Sequence, residues 1–200
     1  MDTKPRTDPL DFGPACREVA GLLDTITDDQ LTEPTPCPAY TVADLLAHLT
    51  GLTVAFRDAA RKDLGPTTDT PPSPAALPPL AADWREVLPR QLDGLAAAWR
   101  SPTAWEGDTR VGGVDLPGAA IGLFGLNEVL VHGWDLARST GQAYAPDERS
   151  LRALRGMLAA GAAGNADSPF GPPVGVPGDA PLLDRVLGLT GRRPDWRPDN

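Results

Sequence analysis

Two cysteines in 200 residues are too few for a disulfide framework, so Cys16 and Cys37 read as free thiols of a reducing compartment. Histidine is as scarce, with His48 and His132 the only two. No apolar run approaches the roughly 20 residues that a membrane-spanning helix needs. The first residues, MDTKPRTDPLDFG, also lack the apolar core of a secretion signal. The expectation is a cytoplasmic protein with no membrane partner. Positive charge is in deficit: 18 Lys and Arg stand against 27 Asp and Glu, for a net charge of -9. Such a field repels phosphate backbones and anionic lipid, which removes nucleic acid from the expected partners.

What remains is a globular composition, 41% hydrophobic and 22% charged, in a length that suits a single domain over residues 1–200. Proline (23) and glycine (21) are abundant and unevenly placed. Residues 71–79, PPSPAALPP, hold five prolines in nine positions, which neither a helix nor a central strand tolerates. The stretch 164–181, GNADSPFGPPVGVPGDAP, is a second break and reads as an extended crossing segment.

Between the breaks the apolar period is helical. Val42, Leu45, Leu46, Leu49, Leu52 and Phe56 draw one stripe along a helix expected over 41–62, opened by a Thr41/Asp44 capping box. Further helices are expected over 14–30, over 84–99 with a bend at Pro89, over 116–139, over 147–162 and over 181–189 with Gly191 as its cap. Residues 109–116, TRVGGVDL, are the one β-like segment. The fold class is therefore all-α: an antiparallel four-helix bundle with extra short helices and a Pro/Gly-rich C-terminal segment.

Both histidines fall inside these helices. Glu128 precedes His132 by four residues, about 40° away on the helix surface, on a face that also carries Ile121, Phe124, Gly125 and Asp135. A Glu/His pair at this spacing is also a common exposed helix contact, and a lone core histidine is commoner than a ligand. Two imidazoles and a carboxylate converging from two helices would form a three-ligand set for a divalent metal with one open position.

The segments TPCPAYTVADLLAHLTG at 35–51 and NEVLVHGWDLARSTGQ at 127–142, with DAPLLDRVLGLTGRRPDW at 179–196, carry a resemblance. They are similar to the DinB-like metal-binding superfamily, in the branch related to the N-terminal domain of mycothiol-dependent maleylpyruvate isomerase. The resemblance implies a DinB-like four-helix bundle with His48, Glu128 and His132 as metal ligands. Tyr40 stands where members of the branch commonly carry Trp. The isomerase's second domain has no counterpart in this sequence, so the resemblance extends to a metal-dependent enzyme on a small-molecule substrate and not to maleylpyruvate itself.

The chemistry that fits is a divalent metal, Zn first and Ni, Fe or Mn as alternatives, activating mycothiol or a similar thiol for S-transfer. The alternatives are a thiol-independent isomerase, cyclase or lyase using the metal as a Lewis acid, and a non-catalytic metal- or ligand-binding protein whose site is closed by a fourth ligand such as Asp135. Asp135 is the candidate catalytic residue, as a base or as an orienter of a ligand. Its competing reading is a surface carboxylate paired with Arg138 or Arg110. Cys37 reads as a small hydrophobe shaping its turn, with an activated thiolate as the alternative. Trp84, Trp105 and Trp134 are core residues before they are pocket walls. Arg192 and Arg193 are expected to cap the last helix electrostatically, with an anionic substrate as the other use. The sequence leaves a homodimer open.

Overall fold

A computed structural model describes residues 10–71, 73–162 and 172–198. Among them are seven helices: α1 (Gly13–Leu23), α2 (Val42–Arg61), α3 (Pro66–Asp69), α4 (Trp84–Trp99), α5 (Gly118–Thr140), α6 (Glu148–Ala162) and α7 (Leu182–Leu189). One hairpin, β1 (Asp108–Val111) and β2 (Val114–Pro117), precedes α5. No helix among the described residues is long and apolar enough to cross a membrane. The all-α expectation holds.

Four helices form the bundle, packed in the ring order α1, α4, α2, α5. Their directions follow from single contacts. Phe12 at the start of α1 stacks on Trp99 at the end of α4, and Arg85 at the start of α4 donates to Ile26 O just beyond α1, so these two helices are antiparallel. His48 faces His132 while Phe56 meets Gly125, so α2 and α5 are antiparallel too. The expected antiparallel arrangement needs correction at one seam: α2 and α4 run in one direction, since Thr53 bonds Gln91 and Phe56 O accepts from Trp99 Nε1. Parallel neighbours need a connection that returns along the bundle, and the Pro-rich segment 62–83 supplies it.

The first helix is shorter than the expected 14–30. It ends at Leu23, and a separate 3-10 turn covers Asp29–Thr32. The reason lies at Leu22, whose carbonyl accepts from Gln142 Nε2 at 3.1 Å and from Thr25 Oγ1 at 3.4 Å. The β-branched run Thr25, Ile26, Thr27 then leaves the helix. The fourth helix, α4, continues through Pro89, and the 71–79 loop contains one short 3-10 turn, Pro74–Ala76. The β-like segment is a hairpin turned by Gly112 and Gly113, both at positive φ (60° and 78°), the geometry a two-residue hairpin loop requires. Of the expected crossing segment, residues 164–171 lie outside the described residues; beyond them Val174 N donates to Gly188 O at 2.8 Å, tying the segment to α7.

The core is one cluster built from the stripe read in the sequence, with Leu45, Leu46 and Leu49 fully buried, joined by Leu88, Leu92 and Leu95 of α4 and Ile121, Leu126 and Leu130 of α5. Trp84 and Trp134 are buried, and Trp105 packs edge-on against Trp99 at 4.9 Å, so Trp84 and Trp105 serve the core. Gly125 lets α2 approach α5, since a Cβ there would stand 2.6 Å from the ring of Phe56. At Gly51, on the exposed side of α2, an added methyl group would meet nothing within 4 Å. Gly51→Ala is therefore expected to stabilise the fold by up to about 1 kcal/mol through helix propensity. Gly125→Ala is expected to destabilise it by about 1–3 kcal/mol, because overpacking outweighs that gain. Urea unfolding of the two variants checks both signs.

Candidate metal centre

The site begins at the loop before α2. Thr35 is buried, and its hydroxyl accepts from Cys37 N at 3.1 Å and lies 2.9 Å from Cys37 O and 2.8 Å from Tyr40 O. This one side chain folds the Pro-Cys-Pro segment back on itself. The expected capping box then starts α2: Asp44 N donates to Thr41 Oγ1 at 3.3 Å, and Thr41 N donates to Asp44 Oδ2 at 3.0 Å. Tyr40, fixed between these two devices, stacks on His48 with ring centroids 5.1 Å apart and 25° between planes.

His48 thereby faces α5 at the level of Glu128 and His132. Glu128 Oε2 lies 3.5 Å from His48 Nε2 and 3.2 Å from His132 Nε2, and the two imidazoles meet edge to face at 5.0 Å. One donor atom from each of the three lies within 4.8 Å of the others. Ligands about 2.1 Å from a tetrahedral metal stand about 3.4 Å apart, so the donor spacing fits a single divalent ion. The donor set, two nitrogens and one carboxylate oxygen, fits zinc and its neighbours in the first row.

Behind His132 the polar chain continues inward. His132 Nδ1 is 2.9 Å from Asp135 Oδ2, and that same oxygen accepts from Arg192 at 2.9 Å, with Asp135 Oδ1 3.3 Å from Arg192 Nε. A carboxylate gripped by a guanidinium acts as acceptor, so Nδ1 carries a proton; in the metal-free cluster Nε2 donates to Glu128, and loss of that second proton frees the Nε2 lone pair for a metal. Side-chain exposure runs from 23% at Glu128 and 14% at His48 through 9% at His132 to 0% at Asp135, so the cluster opens to solvent on the Glu128 side.

Burial alone would favour neutral Glu128, but hydrogen bonds and positive charge from His132 and His48 override it and hold the carboxyl well below the usual range. Burial likewise disfavours charge on His132, and the bonds to Asp135 and Glu128 override it, pushing its pKa up to about 9. Cys37 moves the other way: burial raises its thiol, only partly offset by Arg192, which agrees with a turn-shaping residue and not an activated thiolate.

Three expectations need correction. Asp135 is not a surface carboxylate on Arg138 or Arg110, since Arg138 donates to Trp196 O and Arg110 pairs with Asp115 and Asp69. Nor is it a fourth ligand to the cluster, because it sits on the Nδ1 edge of His132, away from Nε2. Arg192 is more than a helix cap: it touches Thr190 O but directs its fork at Asp135, leaving Arg193 to pair with Asp195 at the surface. The sequence reading missed Thr35 and the Arg192–Asp135 pair. Thr35 had a signal in its place before Pro-Cys-Pro, whereas a contact across 57 residues has none.

The family model of the mycothiol maleylpyruvate isomerase N-terminal domain matches residues 12–137. The chain belongs to that family. An uncharacterized protein of Mycobacterium tuberculosis, found in two strains, is 28% identical over 177 residues, covering 86% of this chain and 91% of its own. Among solved structures, the mycothiol-dependent maleylpyruvate isomerase superposes with a TM-score of 0.54 at 19% identity, over 74% of this chain and 66% of its own. A histidine-to-alanine variant of that isomerase gives 0.55 at 18% identity over the same shares. These likenesses carry the bundle. The family match takes in His48, Glu128, His132 and Asp135, and ends before Arg192.

The shifted groups set the pH dependence of the metal-free protein. His132, raised from 6.5 to about 9, contributes stability that is complete below pH 6.5 and lost as pH rises through about 9. Glu128, lowered from 4.5, contributes stability present above that pH and lost as pH falls towards its depressed value. Urea midpoints measured in chelator are expected to be highest between about pH 4.5 and 6.5, and the decline towards pH 9 is expected to vanish in His132→Gln.

Proposed function

We propose that this protein is a metal-dependent enzyme acting on a small molecule with the help of a low-molecular-weight thiol of the mycothiol type. The observation that carries the reading is Glu128 Oε2 at 3.5 and 3.2 Å from the two histidine Nε2 atoms, at the solvent-facing end of a buried polar chain. His48, Glu128 and His132 would hold the metal, with zinc as the leading candidate. A metal held there lowers the pKa of a coordinated thiol and so supplies thiolate at neutral pH. Membership of the isomerase's N-terminal domain family supports the thiol partner.

The chain's own residues then have separable tasks. Asp135 fixes the tautomer of His132 and keeps its Nε2 lone pair aimed at the cluster. With its side chain fully enclosed and its oxygens held by His132 and Arg192, Asp135 is an orienter and not a base towards substrate. Tyr40 covers one face of His48 and limits its rotation. The three donors leave the Glu128 side open for a thiol and an electrophile. There the sulfur forms a bond to the electrophilic carbon while that carbon's π bond opens, and the thiol proton ends on the neighbouring carbon. Retention of the adduct is S-transfer. Departure of the sulfur after rotation, with loss of a proton from the neighbouring carbon to reform the double bond and the thiol, leaves an isomer, an outcome favoured by the reaction named for the family.

Metal analysis of untagged protein is expected to give about one equivalent, lost in His132→Ala and in Glu128→Gln, with a fall of roughly 10–100-fold in affinity for Asp135→Asn, as outer-shell partners typically show. Mass spectrometry of the loaded protein with mycothiol and an electrophile panel is expected to show a conjugate or an isomer formed faster than in the metal-stripped control. Turnover that ignores the thiol would instead support a Lewis-acid isomerase, cyclase or lyase. Failure to hold metal after reconstitution would refute the proposal.

A further inference from the structure

The polar chain Glu128, His132, Asp135, Arg192 joins acidic and basic groups in turn, from the solvent-facing Glu128 to the enclosed Asp135 and on to Arg192. Arg192 belongs to the segment after α7, outside the family match, and its side chain is 11% exposed against the fully buried carboxylate of Asp135. Its guanidinium reaches both carboxylate oxygens, at 2.9 and 3.3 Å. A buried ion pair of this kind is a weak device for stability, so its position behind a candidate ligand calls for another use.

Counting charge gives one. Histidines coordinate as neutral imidazoles, so a divalent ion with Glu128 leaves one positive charge. Asp135 alone would cancel it, and Arg192 restores it by neutralising Asp135. We propose that Arg192 is a positioning residue of the metal centre: acting through Asp135, it keeps the occupied cluster at one net positive charge, so that the open coordination position selects a monoanion such as a thiolate. This rests on the metal reading above and extends it by tying the segment after α7 to what the centre binds.

The test uses the full chain loaded with cobalt(II), whose absorption reports coordination, and azide as the monoanion. Arg192→Met is expected to weaken azide binding about tenfold, the order expected for one charge at this remove in a partly buried site. Arg192→Lys, which keeps the charge without the fork, is expected to stay within about threefold of wild type. Asp135→Asn, with its surplus positive charge, is expected to bind azide about tenfold more tightly. The double variant Asp135→Asn with Arg192→Met returns the charge to the wild-type count, and its azide affinity is expected to return to within about threefold. That recovery is a result a merely structural arginine would not give, and the double variant leaves no lone buried charge to unfold the protein. Azide affinity equal in wild type and Arg192→Met, or a double variant as weak as Arg192→Met, would overturn the proposal while leaving the metal reading intact. No cobalt binding by wild type would refute the metal reading and this one with it.

Discussion

The carboxylate of Glu128, set between two imidazoles from facing helices, is the contact on which the arrangement of the site depends. Three ionisable groups in a bundle core are unfavourable singly, because each is desolvated. Together they satisfy one another, and each further partner exists to hold the next: Asp135 holds His132, Arg192 holds Asp135, Tyr40 flanks His48, and Thr35 holds the loop that carries Tyr40. The apolar packing serves the same end. Gly125 under Phe56 sets the distance between α2 and α5, and that distance decides whether His48 reaches Glu128.

Labour is divided along α5. Within two turns this one helix supplies a carboxylate and an imidazole to the open end, then a second carboxylate to the closed end. The i,i+4 and i,i+3 spacings place both carboxylates against opposite edges of the same ring. His132 is thus oriented from behind and offered in front without help from a loop, and sites on regular elements hold their geometry better than sites on loops.

Much of this was legible in the order of residues alone. The stripe from Val42 to Phe56 marked α2 and its buried face, the Thr41/Asp44 pair marked its start, and the proline-rich stretch 71–79 marked a connection between helices. The three donors were legible because histidine is scarce: with two in the chain, both inside helices and one four residues from Glu128, few other constellations existed. The end of the first helix was not legible, because it depends on Gln142 taking the Leu22 carbonyl from across the bundle. Arg192 was misjudged for a related reason. Local pattern offers the helix terminus as its partner, and only the return of the chain over α5 brings Asp135 within reach. Asp135 itself stood between two readings, and burial decided against the surface one.

The contact between Arg192 and Asp135 also bears on how the protein is made. The ligands and their loop are complete once α5 has been translated, but the cation that balances Asp135 follows 57 residues later. A nascent chain therefore passes through a stage in which the bundle can close around a carboxylate lacking its guanidinium. In the order of synthesis, the segment after α7 is what completes the polar chain behind His132.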